Sequence, residues 1–319
     1  MPLSSERQKI LLVSLGLKDA GYNYLVLDEG WSSHERTADG YSQANATGFP
    51  DGIKALADEV HDKVSWGYEE RDALTIAGWG VDYLKYDNCG GFQAMTNTSK
   101  TGYQFPWHWG GNIGHSYRMS EDITTSFMNE TVCQCKTVYG LNTGYAGCSI
   151  TTIMRKMREV SVYQSPGHWL DTDVLEVGNF NMTVYMQQTH FAFWAALKSP
   201  LIISADLRKM TNESLAVLTN KDIIALNQDK LGLPVNYIED ASIAGYLQVW
   251  AGLLDGGYAV LVFNEKSYKQ TASVSFGDLG LELQRAMQAE ELWSGKSWGK
   301  ISAVKTMLEP YQTLVFKLS

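Results

Sequence analysis

Short apolar runs in the first two-thirds of this chain repeatedly end in an acid, with helical patterns between them. The sharpest case is Val81-Asp82-Tyr83-Leu84-Lys85-Tyr86-Asp87-Asn88-Cys89. On a strand, Tyr83, Lys85 and Asp87 share one face, while Leu84 and Tyr86 take the other. An ionisable pair at the carboxyl end of a buried strand is where α/β barrels and open α/β sheets keep their chemistry. A Lys–Asp ion pair that merely closes the strand is the plainer reading of the same residues.

The alternation can be followed along the chain. Residues 5–20 read as a helix with Ile10, Val13, Leu17 and Ala20 on one face and Gly21 as its stop. Tyr24 to Leu27 read as a buried strand ending in Asp28 and Glu29, and 51–62 as a second helix. Only Lys63 to Gly67 separate that helix from the next, at 68–78, a gap too short for a strand and its two loops. The strand at 82–87 follows, then a long Gly- and aromatic-rich segment to about Ser116. Tyr117 to Met119 open another strand with Asp122 just beyond it. Ser149 to Val160 form an amphipathic helix on Ile150, Ile153, Met154, Met157 and Val160. Gly167 to Asp173 form a strand and tip carrying Asp171 and Asp173. An apolar helix at 183–198, a buried strand at Pro200–Ser204 followed by Asp206, and helices at 212–218 and 221–227 complete the region. From about residue 231 strands alternate with turns and no helices, at 247–254, 258–263, 272–276 and 312–318, which indicates a separate antiparallel domain. The expected division is 1–230 and 231–319.

The tip acids form a carboxylate-rich mouth without His pairs or a phosphate-binding loop. That chemistry points to glycoside hydrolysis, in which two carboxyls flank the scissile bond. A magnesium or calcium site ranks second, because no calcium-loop spacing occurs. Each acid also has a structural reading: Asp122 as a helix cap, Asp28 and Glu29 as solvated tips, Asp171 and Asp173 as a turn. A net charge of −9 argues against nucleic acid or an anionic membrane as the main partner. No apolar run is long enough to span a bilayer, and Glu6, Arg7 and Lys9 interrupt any leader-like start. Five Asn-x-Ser/Thr triplets start at Asn45, Asn97, Asn129, Asn181 and Asn212. Three of the four cysteines, Cys133, Cys135 and Cys148, crowd one segment, which reads as a disulfide-bearing loop in an oxidising compartment.

Three segments together carry a family likeness: Tyr24 to Trp31, Gly80 to Cys89, and Pro166 to Asp173 with the order Gly-His-Trp-Leu-Asp-Thr-Asp. Lys198-Ser199-Pro200-Leu201-Ile202 and Ala225-Leu226-Asn227-Gln228-Asp229 extend it. The chain resembles the melibiases, the α-galactosidases of glycoside hydrolase family 27, and is most similar to secreted fungal members. The resemblance implies an α/β fold, a (β/α)8 TIM barrel followed by a C-terminal antiparallel β-sandwich domain. It implies retaining hydrolysis of terminal α-galactosides, an extracellular setting and no cofactor or metal. Asp87 matches the nucleophile and Asp122 the acid/base. Asp28, Glu29, Lys85, Cys89 and Arg118 match the substrate-binding set, with Glu29 where the family usually has Asp. Retention sets the Asp87 and Asp122 carboxyls about 5–5.5 Å apart. Lys85 on the face of Asp87 keeps that carboxylate ionised, whereas Arg118 beside Asp122 works against a general acid.

The departures from the family pattern are equally specific. The chain starts past the family's secretion signal and first strand. The Lys63–Gly67 gap falls where the family has a third strand, and Phe105-Pro106-Trp107-His108-Trp109 falls where it has a helix and fifth strand. Leu170 replaces the usual Asn. The expectation is therefore an incomplete barrel, poorly folded or nearly inactive alone. α-N-Acetylgalactosaminidase and a non-catalytic galactose-binding remnant are the alternative readings. Cys89 is expected as a free thiol, since its family partner is missing, and Cys148 is expected to pair with Cys133 or Cys135.

Overall fold

The structure, a computed structural model, describes residues 5–26, 32–47, 49, 69–80, 106–120, 122–127, 147–280 and 286–319. The chain divides into two compact units, Met1–Tyr103 and Gln104–Ser319. The helix expected at 51–62 and the strand at 82–87 lie outside the described residues.

In the first unit, helix α1 runs Ser5–Ser14, shorter than the sequence suggested. Gly16 and Gly21 take positive φ, and residues 15–21 form a series of turns. The helical period therefore stops before Leu17, so the expected apolar face is not built. Leu17 is buried, but Ile10 and Val13 are exposed. The run at Tyr24–Leu27 is described only in part. Its described part, through Val26, pairs with no strand among the described residues, and Tyr24 and Val26 are exposed. An extended apolar run becomes a strand only when a neighbour takes its backbone bonds. Helix α2, Glu69–Gly78, matches the reading closely. It brings in Asp72, which is 2% exposed. Arg36 meets this carboxylate with two parallel bonds of 2.8 Å each, and the Ser42 hydroxyl donates a third at 3.1 Å. This two-pronged pairing is what makes burial of the acid tolerable.

In the second unit the segment after Gln104 contains two 3-10 turns, Pro106–His108 and Gly110–Asn112. Strand β1, Ser116–Arg118, follows. Strand β2, Ile123–Thr124, pairs in parallel with β3, Cys148–Ser149, which feeds helix α3, Ile150–Val160. The Ser149 hydroxyl caps α3 by accepting from the Thr152 N–H at 3.1 Å. All five apolar residues assigned to its inner face are buried. Cys148 is disulfide-bonded, with its partner outside the described residues. After α3 the chain returns as β4, Trp169–Asp171, parallel to β1 with Tyr117 opposite Leu170. This is a β-α-β unit. The expected strand at Pro200–Ser204 reduces to one parallel bridge, Leu175 with Ile203. The chain turns at Asp173, so only a short stretch near Leu175 lies alongside; the Leu175 N–H donates to the Ile202 carbonyl at 2.6 Å.

Helix α4, Val184–Ala196, is strongly apolar apart from Gln187 to His190, and it is buried along its second half. Thr183 caps it. Helices α5, Asn212–Leu218, and α6, Lys221–Asn227, fall where the sequence placed them, capped by Thr211 and Asn220. Then come β5 (Asn236–Tyr237), β6 (Leu247–Leu254), β7 (Gly257–Asn264), β8 (Gln270–Ser275), β9 (Met287–Glu291), β10 (Lys296–Ile301), β11 (Ala303–Leu308) and β12 (Thr313–Leu318). Six form one sheet in the order β10-β9-β12-β7-β6-β5, and β11 pairs with β8. Val249, Val260, Val262 and Phe316 of the larger sheet share a core with Ala272, Val274, Val304 and Leu308 of the pair. This is a β-sandwich. Its outer face holds α4: Phe193 meets Trp250 and Phe263 edge-on, and the Thr189 hydroxyl donates to the Tyr311 carbonyl at 2.6 Å.

Replacing Arg36 with Met takes the two-pronged counter-charge away from buried Asp72, a loss of up to about 3–5 kcal/mol for a buried pair missing one partner. Amide hydrogen exchange across α2 should speed up accordingly. Unchanged protection would show that the pair does not hold this unit together.

Candidate active site

Parallel pairing of β1 with β4 brings two strand ends together at one edge. Arg118 ends β1 and Asp171 ends β4, directly opposite each other in the register. Beyond β1 the chain turns and presents Asp122 four residues on. Beyond β4 it turns at Asp173, whose φ is +80°. A non-glycine residue in this region carries strain. Here the strain is offset by local bonds. The Asp173 N–H donates to Asp171 Oδ1 at 2.8 Å, and the Val174 N–H donates to Asp173 Oδ1 at 2.8 Å. The Trp194 indole donates to the Asp173 carbonyl at 2.6 Å from inside the core.

The same turn aims Asp173 at Arg118. One guanidinium nitrogen, Nη2, lies 2.7 Å from Asp173 Oδ2 and 2.9 Å from Asp122 Oδ1. Asp173 Oδ2 also accepts the Ile123 N–H at 2.8 Å. The two acids differ in setting: the Asp173 side chain is 8% exposed and the Asp122 side chain 57%. Burial works against the Arg118 charge, but Asp173, Asp171 and Asp122 outweigh it and raise its pKa further. Arg118 is thus a permanent cation anchored on its buried side and shared with an exposed carboxyl. Coulomb attraction weakens with solvent screening, so the buried Asp173 takes the larger part of its charge. This eases the conflict noted from sequence, that Arg118 opposes a general acid at Asp122.

Around this pair the supports are polar and buried. The Glu176 N–H donates to His190 Nε2 at 2.9 Å, and Glu176 Oε2 accepts from the Asn179 amide at 2.6 Å. Burial raises the Glu176 pKa, with the Asp173 charge adding to it and the Asn179 bond opposing it. Lys198, buried at φ +63°, reaches the Leu226 carbonyl with its ammonium. The Asn227 amide donates to the Ser199 carbonyl at 2.9 Å. The two motifs Lys198-Ser199-Pro200 and Ala225-Leu226-Asn227 therefore face each other.

Of the residues picked from sequence, Arg118 and Asp122 are together. Asp28, Glu29, Lys85, Asp87 and Cys89 lie outside the described residues, and so does the Asp87–Asp122 separation. Asp206 serves its own turn. It bonds Arg208 at 2.7 and 2.5 Å, which holds its carboxyl at about 2. Asp173 was read as one tip acid among several, yet it organises the site. The Asp-Thr-Asp spacing was the available signal. Trp194 and His190, inside an apolar helix, gave none.

Two pairs of parallel strands, one with an acid–Arg–acid cluster at its carboxyl edge, followed by a β-sandwich, are the parts of a glycoside hydrolase of the α/β-barrel class. Comparison with known proteins narrows the class. The family described as Alpha galactosidase A matches residues 6–65 and 63–229, and the Alpha galactosidase C-terminal beta sandwich domain matches 244–318. An alpha-galactosidase of Cyamopsis tetragonoloba is 33% identical over 332 aligned positions, covering 91% of this chain and 75% of that protein. One from Lachancea cidri is 34% identical, covering 90% and 72%. Among solved structures, alpha-galactosidase I from Mortierella vinacea superposes with TM-score 0.83 at 31% identity, over 97% of this chain and 90% of that one. The Saccharomyces cerevisiae enzyme, solved with raffinose, gives TM-score 0.83 at 26% identity, over 98% and 92%. The chain belongs to the α-galactosidase A family of glycoside hydrolase family 27.

His190 is fully buried, 4.0 Å centroid to centroid from Trp194, and burial lowers its pKa to about 3. Unfolded, it takes up a proton near the ordinary value of about 6.5. The unfolded chain therefore binds more protons between those values, and stability falls as pH drops through that window. This one group should remove about 2 kcal/mol between pH 7 and pH 5. Urea unfolding at both pH values should show the slope in the native chain and lose that part of it in His190→Gln. An equal slope in both would refute the assignment.

Proposed function

We propose that the chain acts on terminal α-galactosides by retaining double displacement. The observation that carries this is the Arg118–Asp122–Asp173 cluster at the carboxyl ends of adjacent parallel strands, in a member of the α-galactosidase family. Asp87 is the nucleophile and Asp122 the acid/base. Asp122 first protonates the leaving oxygen while Asp87 forms the glycosyl ester, then deprotonates the water that releases galactose. Arg118, held by Asp173, orients Asp122 and donates to the sugar hydroxyls. Asp28, Glu29, Lys85 and Cys89 complete the galactose contacts. Two carboxyls and water carry every bond change, so the reaction calls for no cofactor.

Residues 1–230 supply the barrel and 231–319 the sandwich. The disulfide at Cys148 and the sequons support an extracellular setting. The barrel is shortened internally. The two matched stretches of the family meet at residues 63–65, within the gap that leaves no room for the family's third strand. The Cyamopsis alignment also runs to 332 positions while taking in only 91% of 319 residues, so part of that protein has no counterpart within this chain. Lost strands displace their neighbours, and a misplacement near 1 Å costs on the order of a hundredfold in rate. Turnover by this chain is therefore slow, and restoring the absent segments from a relative raises it.

Hydrolysis of a nitrophenyl α-galactoside tests the reading. The restored chain should release galactose first as the α-anomer, and Asp87→Asn should lower its kcat by on the order of a thousandfold or more. Release of the β-anomer, or undiminished activity in that variant, contradicts it.

A further inference from the structure

Five sequons occur in the chain, and the structure describes three of the asparagines, Asn45, Asn181 and Asn212. They are not equivalent. Asn45 is half-buried and turned into its own loop: its side-chain oxygen accepts the Thr47 N–H at 3.0 Å and its carbonyl accepts the Phe49 N–H. Asn212 is the first residue of α5, and its sequon partner Ser214 is buried, donating to Gln187 Oε1 at 2.7 Å. The Asn212 amide points out while the rest of its triplet is folded into the helix start.

Asn181 differs in each respect. It is exposed, sits at φ +64° in the loop between β4 and α4, and its side-chain amide makes no hydrogen bond among the described residues. Its neighbour Phe180 is 77% exposed, an aromatic face with nothing against it. Thr183 completes the triplet, is itself exposed, and uses its hydroxyl only to cap α4. A left-handed backbone at the acceptor lifts the side chain clear of both flanking segments. The C–H face of a first N-acetylglucosamine could then lie on the Phe180 ring and cover apolar surface otherwise left in water.

We propose that Asn181 is an N-glycosylation site, occupied in preference to Asn45 and Asn212 when the chain passes through a secretory compartment. The donor is a polyprenyl-diphosphate-linked oligosaccharide. Asn181 Nδ2 attacks the anomeric carbon, the bond from that carbon to the diphosphate oxygen breaks, and the amide loses one proton as the C–N bond forms. The site is independent of the hydrolase reading.

The test is expression of the full chain behind a secretion leader in yeast, with peptide mapping of the secreted and cell-retained pools. Glycan release in heavy-oxygen water marks each formerly occupied asparagine as labelled aspartate. The expected result is label at Asn181 in most molecules and at Asn45 and Asn212 in few. Asn181→Gly should remove one glycan step in gel mobility, and glycine accommodates the positive φ, so misfolding does not confound it. An unlabelled Asn181 in both pools overturns the proposal. So does occupancy of Asn45 or Asn212 above that of Asn181, or unchanged mobility of the variant.

Discussion

The bond between Arg118 and Asp173 is the constraint on which the described part of the site depends. It joins the ends of β1 and β4 and holds the chain beyond β1 through the Ile123 N–H. It also rests on the core through Trp194. Remove it and three things loosen together: the left-handed turn at Asp173, the course of the chain into β2, and the aim of Asp122. A buried ion pair is not in itself evidence of stability, because desolvation consumes much of the attraction. Its worth here is geometric. It places a permanent cation against an exposed carboxyl while supplying that cation with a second, buried counter-charge.

Behind the site, α4 supplies rigidity. Its second half, His190 to Ala196, has no solvent side, so it must be covered on every face. The sandwich covers it through Phe193, Trp250 and Phe263, and the site side covers it through Trp194 and His190. The sandwich thereby buttresses the turn at Asp173 from one helix away.

How legible all this was in the sequence varied with the physics. Helices with capping residues and strong periodicity, α3, α5 and α6, could be read almost to the residue, because cap and period are local. The sandwich strands β6, β7 and β12 were equally plain from alternation. Short polar strands such as β9 and β10 carried no such signal and were missed. Arg118 and Asp122 were found through family likeness, whereas the primacy of Asp173 was hidden, since nothing in Asp-Thr-Asp says which oxygen faces which cation. Trp194 sits in an apolar run and His190 at its edge, where a polar role leaves no periodic trace.

The central claim is that Asp173 draws Arg118's charge away from Asp122, leaving Asp122 able to hold a proton for catalysis. Its most direct measurement is a carbon-13 NMR titration of the Asp122 carboxyl in chain labelled at aspartate, with the resonance assigned through Asp122→Asn. In Asp173→Asn, Arg118 loses its buried partner and keeps Asp122 and the neighbouring Asp171, so Asp122 takes a larger share of its charge and the Asp122 midpoint should fall by on the order of one unit. A midpoint that stays put, or rises, would show that Asp173 does not govern the proton on Asp122.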